Sequence, residues 1–256
     1  MSMRTIIKFL ARFLLILVIL PIAVGTGLNL AHGWPANWRQ ADWSSSHILQ
    51  PATASTDAEV IILATRTGRW KGIFAEHMSL VFKPAGAVQW TRYDVVGWDA
   101  PVRKDNYVPD AYWYGNTPRV IYDLKGDKAA VLIPAIENNI SKYPYSAKGS
   151  YHIVPGPNSN TFISWVVRHT EGFDAELSSV AVGKDYLGPG FQMARAPSDT
   201  GYTVSVDGYV ALTIAREEGI ELGLIGSTIG IDFNDFAIKL PALGKLSVID
   251  LWHHTS

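Results

Sequence analysis

The residues best suited to chemistry lie in GPNSNTF, residues 156–162, where Asn158, Ser159 and Asn160 precede an apolar-periodic stretch. With Asn158 as N-cap, Ser159 is the first helical residue and its hydroxyl is not needed for capping. Unpaired backbone N–H groups and the helix dipole favour developing negative charge there. A serine in that place can attack a carbonyl, and the helix-start donors of Asn158 and Asn160 can support an oxyanion, provided a general base reaches the hydroxyl. His77 is that candidate base. It alternates with Met78, Leu80 and Phe82 in EHMSLVFK, on the opposite face of an expected strand. Tyr93 or Asp94 on the next strand could orient it; alternation puts these on opposite faces, so at most one can reach. The plainer reading is that Asn and Ser are common N-caps and that His77 and His152 are ordinary strand histidines.

The elements that must position these groups begin after the first thirty residues. Arg4, Lys8 and Arg12 share a helix face, and no charge occurs from Phe13 to Leu28. That run approaches the ~20 residues that span a bilayer. Trp34, Trp38 and Trp43 follow as an interfacial belt would. Residues 1–31 therefore read as a transmembrane anchor. The basic excess before the span puts the N-terminus in the cytoplasm and the main domain in the periplasm of a bacterial inner membrane. A cleaved signal peptide with its apolar region at Phe13 to Ile22 is the rival. Residues 32–58, with Pro35, Pro51 and three consecutive serines, read as a linker.

Residues 59–256 read as an exported α+β domain. Strands are expected at Glu59 to Thr65, Glu76 to Lys83, Trp90 to Val96 and Arg119 to Leu124, forming a mostly antiparallel sheet. A helix is expected over Asp127 to Lys142, with a stripe of Ala130, Ile133, Ile136 and Ile140 and a kink or split at Pro134. YHIV, residues 151–154, reads as a short strand before the helix at about Asn158 to His169. Residues 97–118 read as a long structured loop. From Tyr202 the chain is β-rich, and this C-terminal third (171–256) could form a small barrel.

The 256 residues carry a formal net charge of -1, which argues against nucleic-acid binding through overall positive charge. There is no Cys, so disulfides, thiolate zinc sites and cysteine nucleophiles are excluded. Arg66, Arg69 and Lys71 crowd one loop and could receive an anion, or form a solvated or lipid-facing surface. Trp90, Trp98 and Trp113 could hold a sugar ring or an acyl chain, or pack in the core. Asp232, Asn234 and Asp235 lack a full calcium-loop pattern, so no metal and no cofactor are expected. His253 and His254 carry no pattern.

The stretches RTGRWKGIFAEH, WTRYDVVGW, YGNTPRV, YPYS and PGPNSNTF resemble a bacterial family known as domain of unknown function 3750. Weaker likeness continues through GKDY, EEGIEL and KLPALGK. That family implies no activity. The order of strand histidine, further strands and an Asn-X-X-X-Phe helix start is similar to circularly permuted papain-like domains of the NlpC/P60 and lecithin–retinol acyltransferase kind. This likeness implies a papain-like part at 59–170, with Ser159 at the cysteine position and His77 as base. The absence of Cys leaves two readings. One is a serine-using hydrolase or acyl/amide transferase acting on a cell-wall peptide, glycan or acyl group. The other is a non-catalytic binding or assembly module on the same fold.

Overall fold

The computed structural model describes residues 2–247. His253 and His254 lie outside them. The chain begins with helices α1 (Met3–Leu14) and α2 (Leu20–His32), joined by a π-helical turn over Leu15–Ile19. Together they make one 30-residue helix, Met3–His32, long and apolar enough to cross a membrane. Pro21 lies inside this continuous helix, directly after the π-helical turn.

Five antiparallel strands follow: β1 (Glu59–Arg66), β2 (Glu76–Lys83), β3 (Thr91–Val95), β4 (Val102–Lys104) and β5 (Arg119–Lys125), in spatial order β4-β3-β2-β1-β5. β4 lies inside the segment expected to be a loop; three residues are too few for a period-two signal. β1 is apolar on both faces because both are covered. On one face, Val60, Ile62, Met78, Leu80 and Phe82 form the main core with helices α3 (Asp127–Ile140) and α4 (Ser159–His169). Burying a side chain of this size stabilises by roughly 1.5–3 kcal/mol. Pro134 sits inside α3 without splitting it. Ala129 rather than Ala130 joins the buried stripe, with Leu132, Ile133, Ile136 and Ile140.

On the other face Ile61, Leu63 and Val81 are covered by Leu49 and Trp90. The segment read as a linker therefore packs. Ser45 bridges to Ala111, and its hydroxyl donates to Asp110 Oδ1 at 2.7 Å. It carries no periodic signal because its only regular pieces are two short 3-10 turns.

YHIV is not a strand. Pro155 and Pro157 cannot donate to a ladder, and the His152 N–H instead donates to the Pro157 carbonyl, closing a tight loop. Beyond α4, strands β6 (Phe191–Arg195), β7 (Gly201–Val206), β8 (Val210–Ala215), β9 (Gly219–Leu224), β10 (Ser227–Asp232), β11 (Ala237–Leu240) and β12 (Gly244–Ser247) form a second antiparallel sheet. Its order β12-β11-β10-β9-β8-β7-β6 is an open meander, not a barrel.

Candidate functional site

The β2–β3 ladder pairs Leu80–Phe82 with Thr91–Tyr93 and goes no further. Beyond Leu80 the strands part, and the N-terminus of α4 enters the gap. The Met78 N–H donates to Asn160 Oδ1 at 3.0 Å, and Asn160 Nδ2 donates to the Glu76 carbonyl at 2.8 Å. One side-chain amide thus takes the place of a neighbouring strand, holding the peptide groups on both sides of His77.

Asn158 caps α4. Its Oδ1 accepts from the N–H groups of Asn160 (2.9 Å) and Thr161 (3.2 Å), and the Thr161 hydroxyl accepts from the Asn158 N–H. Asn158 Nδ2 donates to the carbonyls of Ile153 and Val182, and Asn160 Nδ2 also reaches Val182. The polar groups of Asn158 and Asn160 are therefore committed to structure. The Ser159 N–H keeps no partner among the described residues.

His77 is fully enclosed, 3% exposed, and its ring stacks on Trp113 at 3.7 Å with 5° between planes. Its Nε2 lies 2.8 Å from Asp94 Oδ1. Asp94 is in turn held by Arg92, through Nε to Oδ2 at 2.7 Å and Nη2 to Oδ1 at 3.0 Å. The remaining Arg92 donor, Nη1, reaches the carbonyls of Val108 and Pro109 at 3.1 Å each. Burial alone would raise the Asp94 carboxyl. The Arg92 charge and the hydrogen bonds from His77 and Arg92 outweigh it and hold Asp94 down at about 2. An ionised carboxylate can only accept, so neutral His77 donates Nε2–H and leaves Nδ1 as a basic lone pair. Burial lowers the His77 pKa, with the Asp94 hydrogen bond opposing it, which keeps the ring neutral near pH 7.

His77 and Ser159 line one cavity of about 270 Å³, together with Trp98, Trp113, Tyr114 and Tyr151. No direct hydrogen bond joins Ser159 to His77. Burial raises the Tyr151 phenol, and the polar influence of the Ser159 side chain partly offsets that rise. Ser159, Tyr151 and the imidazole thus share one cavity.

Of the two possible partners for His77, Asp94 is the one that reaches it. Tyr93 faces the core against Phe82 at 6.0 Å. Arg66, Arg69 and Trp90 lie outside the cavity lining. Arg66 donates to the Gly72 and Ile73 carbonyls, and Trp90 Nε1–H donates to the Gln50 carbonyl. His152 is exposed. The carboxylates of Glu176, Asp232 and Asp235 cluster within 4.8 Å of one another, with Lys245 Nζ bonded to all three. An ammonium therefore occupies the centre of that trio.

Arg92 as the group that fixes Asp94 is legible in principle, since residues two apart on a strand share a face. Tyr151, Val182 and Gly183 carry no such signal.

No curated protein and no solved structure gives a significant match to the chain. Residues 57–186 match the family described as "Protein of unknown function (DUF3750)", and that span holds β1 to β5, both packed helices and every residue that orients His77 and Ser159. With just over half of its length matched, the chain belongs to this family.

Proposed function

We propose that this is a membrane-anchored, serine-using acyl or amide hydrolase or transferase of the bacterial cell envelope, with the main domain in the periplasm. The observation that carries the reading is the buried Arg92–Asp94–His77 chain, which ends in a neutral imidazole lining the same cavity as Ser159. In this reading the Ser159 hydroxyl turns to His77 Nδ1 and attacks a carbonyl carbon while His77 accepts its proton. The unpartnered Ser159 N–H, at the positive end of α4, faces the oxyanion. His77 then returns the proton to the leaving amine or alkoxide, and water or a second nucleophile cleaves the acyl-serine. What supports this reading is a strand histidine with an acidic partner on the next strand, lining one cavity with a serine at a helix start; the likeness to permuted papain-like domains, with serine at the cysteine position, is part of the proposal.

The second reading, a binding or assembly module, is favoured by the commitment of Asn158 and Asn160 to structure and by Ser159 being only 4% exposed. A fluorophosphonate probe separates the two. The catalytic reading expects labelling of the full chain at Ser159, abolished in Ser159→Ala and strongly reduced in His77→Ala. Folded protein that takes no label at Ser159 leaves the binding module standing.

A further inference from the structure

The second sheet is polar on its covered side and apolar on its open side. Thr203, Thr213, Glu221, Asp232 and Lys239 are buried on the inner face. There Lys239 Nζ bonds Glu221 Oε1 at 2.7 Å and Glu176 Oε1 at 2.8 Å. The register puts Met193, Val204, Leu212, Leu222 and Ile229 in one row across five strands of the outer face. A second row runs Tyr202, Ile214, Ile220, Ile231 and Ile238. Ile214 is 58% exposed and Leu222 39%. A half-covered antiparallel sheet ordinarily shows the reverse pattern. The alternation has period two along each strand, so the inversion is written in the sequence.

At ~4.8 Å between strands the face measures roughly 30 Å by 20 Å, at the upper end of apolar patches found on monomers. Its position says what covers it. Ala242, in the turn between β11 and β12, packs on α2 so closely that a Cβ at Gly25 would lie 2.8 Å from the Ala242 Cβ. Gly25 belongs to the charge-free run of that helix, about 10 Å before its end at His32. The sheet is therefore fastened to the helix at the depth of its apolar segment. Arg195 begins the second row beside Tyr202; from Tyr202 to Ile238, and along the whole first row, no charged side chain occurs. An interface between proteins ordinarily has several hydrogen bonds to fix its register, whereas lipid requires none. The ladders already satisfy the backbone of the inner strands, so contact with hydrocarbon strands no peptide group there.

We propose that the outer face of β6–β12 rests in the lipid bilayer beside the anchor helix. The inference rests on α1–α2 being retained as an anchor and is independent of any chemistry at Ser159.

The Cys-free chain allows a direct test. Leu20→Cys on the helix, Leu222→Cys on the sheet and Val131→Cys on exposed α3 are each nitroxide-labelled in the full chain. The protein is reconstituted in phosphatidylethanolamine/phosphatidylglycerol vesicles, and collision with oxygen is compared with collision with a water-soluble nickel chelate. Oxygen should dominate several-fold at positions 20 and 222, and nickel at 131. Nickel access at 222 with oxygen dominance at 20 overturns the proposal while the anchor stands. Nickel access at both removes the anchor as well. Spin–spin broadening at 222 assigns the face to a second copy and also overturns it. If Leu222→Cys does not fold, Ile214→Cys reports on the same face.

Discussion

Arg92 and Asp94, two residues apart on β3, face each other through two parallel hydrogen bonds of 2.7 and 3.0 Å, and the carboxylate they immobilise is the one that receives the His77 Nε2–H. This pair gives stability a defined pH dependence. Asp94 is depressed from 3.8 to about 2 in the folded protein, so its contribution is full above the ordinary value and is lost as pH falls from there towards 2. That difference corresponds to about 2 kcal/mol. His77 is also depressed, by burial, so folding loses stability as pH drops below the ordinary histidine value of 6.5. Urea midpoints should fall from pH 7 to 5 and again between 4 and 2. Asp94→Asn should remove the lower of these two declines, and an unchanged slope there would exclude Asp94 as its source.

The Asn160 clamp predicts a stability cost with a local signature. Asn160→Leu leaves the Met78 N–H and the Glu76 carbonyl without their partner in a buried setting. Each orphaned group costs about 1–3 kcal/mol, so a total loss of about 2–6 kcal/mol is expected by chemical denaturation. Hydrogen exchange at the Met78 amide should accelerate more than at Leu80, whose pairing with β3 remains. Equal acceleration at both positions would mean that the strand opens as a unit and that the clamp is not a local one.

Ser159→Cys introduces a lone thiol into the chain. At a helix N-terminus beside His77 its pKa should lie below the ~8.5 of free cysteine. The pH dependence of iodoacetamide alkylation measures this. A value at or above 8.5 would show that neither the helix nor His77 acts on position 159. In His77→Ala the value should rise again.

Gly183 combines φ +95° with a position where a Cβ would collide with the Asn158 side-chain amide. Gly183→Ala should displace the cap and lower stability by about 2 kcal/mol, from backbone strain and the lost N-cap together. Gly86 also has positive φ, but nothing lies near its Cβ position. Gly86→Ala therefore reports strain alone, and the difference in melting temperature between the two variants isolates the cap.

Periodicity made β1, β2, β3, β5 and both packed helices legible, because each has an apolar face that must meet another. The placement of Ser159 after an Asn cap was legible for the same local reason. The choice of Asp94 over Tyr93 needed the direction in which each strand face points. The packing of residues 33–58 was not legible, since Ser45, Leu49 and Trp43 are fixed by Asp110, Val81 and Trp113 far along the chain rather than by any repeat. The grip of Asn160 on β2 is hidden in the same way, for a side-chain amide standing in for a strand has no period.

The Asn160 clamp also fixes an order of events. It joins residues 82 and 84 positions apart, and the Val182 carbonyl it shares with Asn158 lies a further 22 residues on. As the chain emerges, β2 and β3 can pair and His77 can find Asp94 within a span of 17 residues. Ser159 cannot be seated until residues 182 and 183 have arrived, which makes its position a product of long loop closure and so a late step in folding. A chain interrupted before that point would hold a histidine and its carboxylate but no assembled centre, so any activity at Ser159 is withheld until most of the chain has been made.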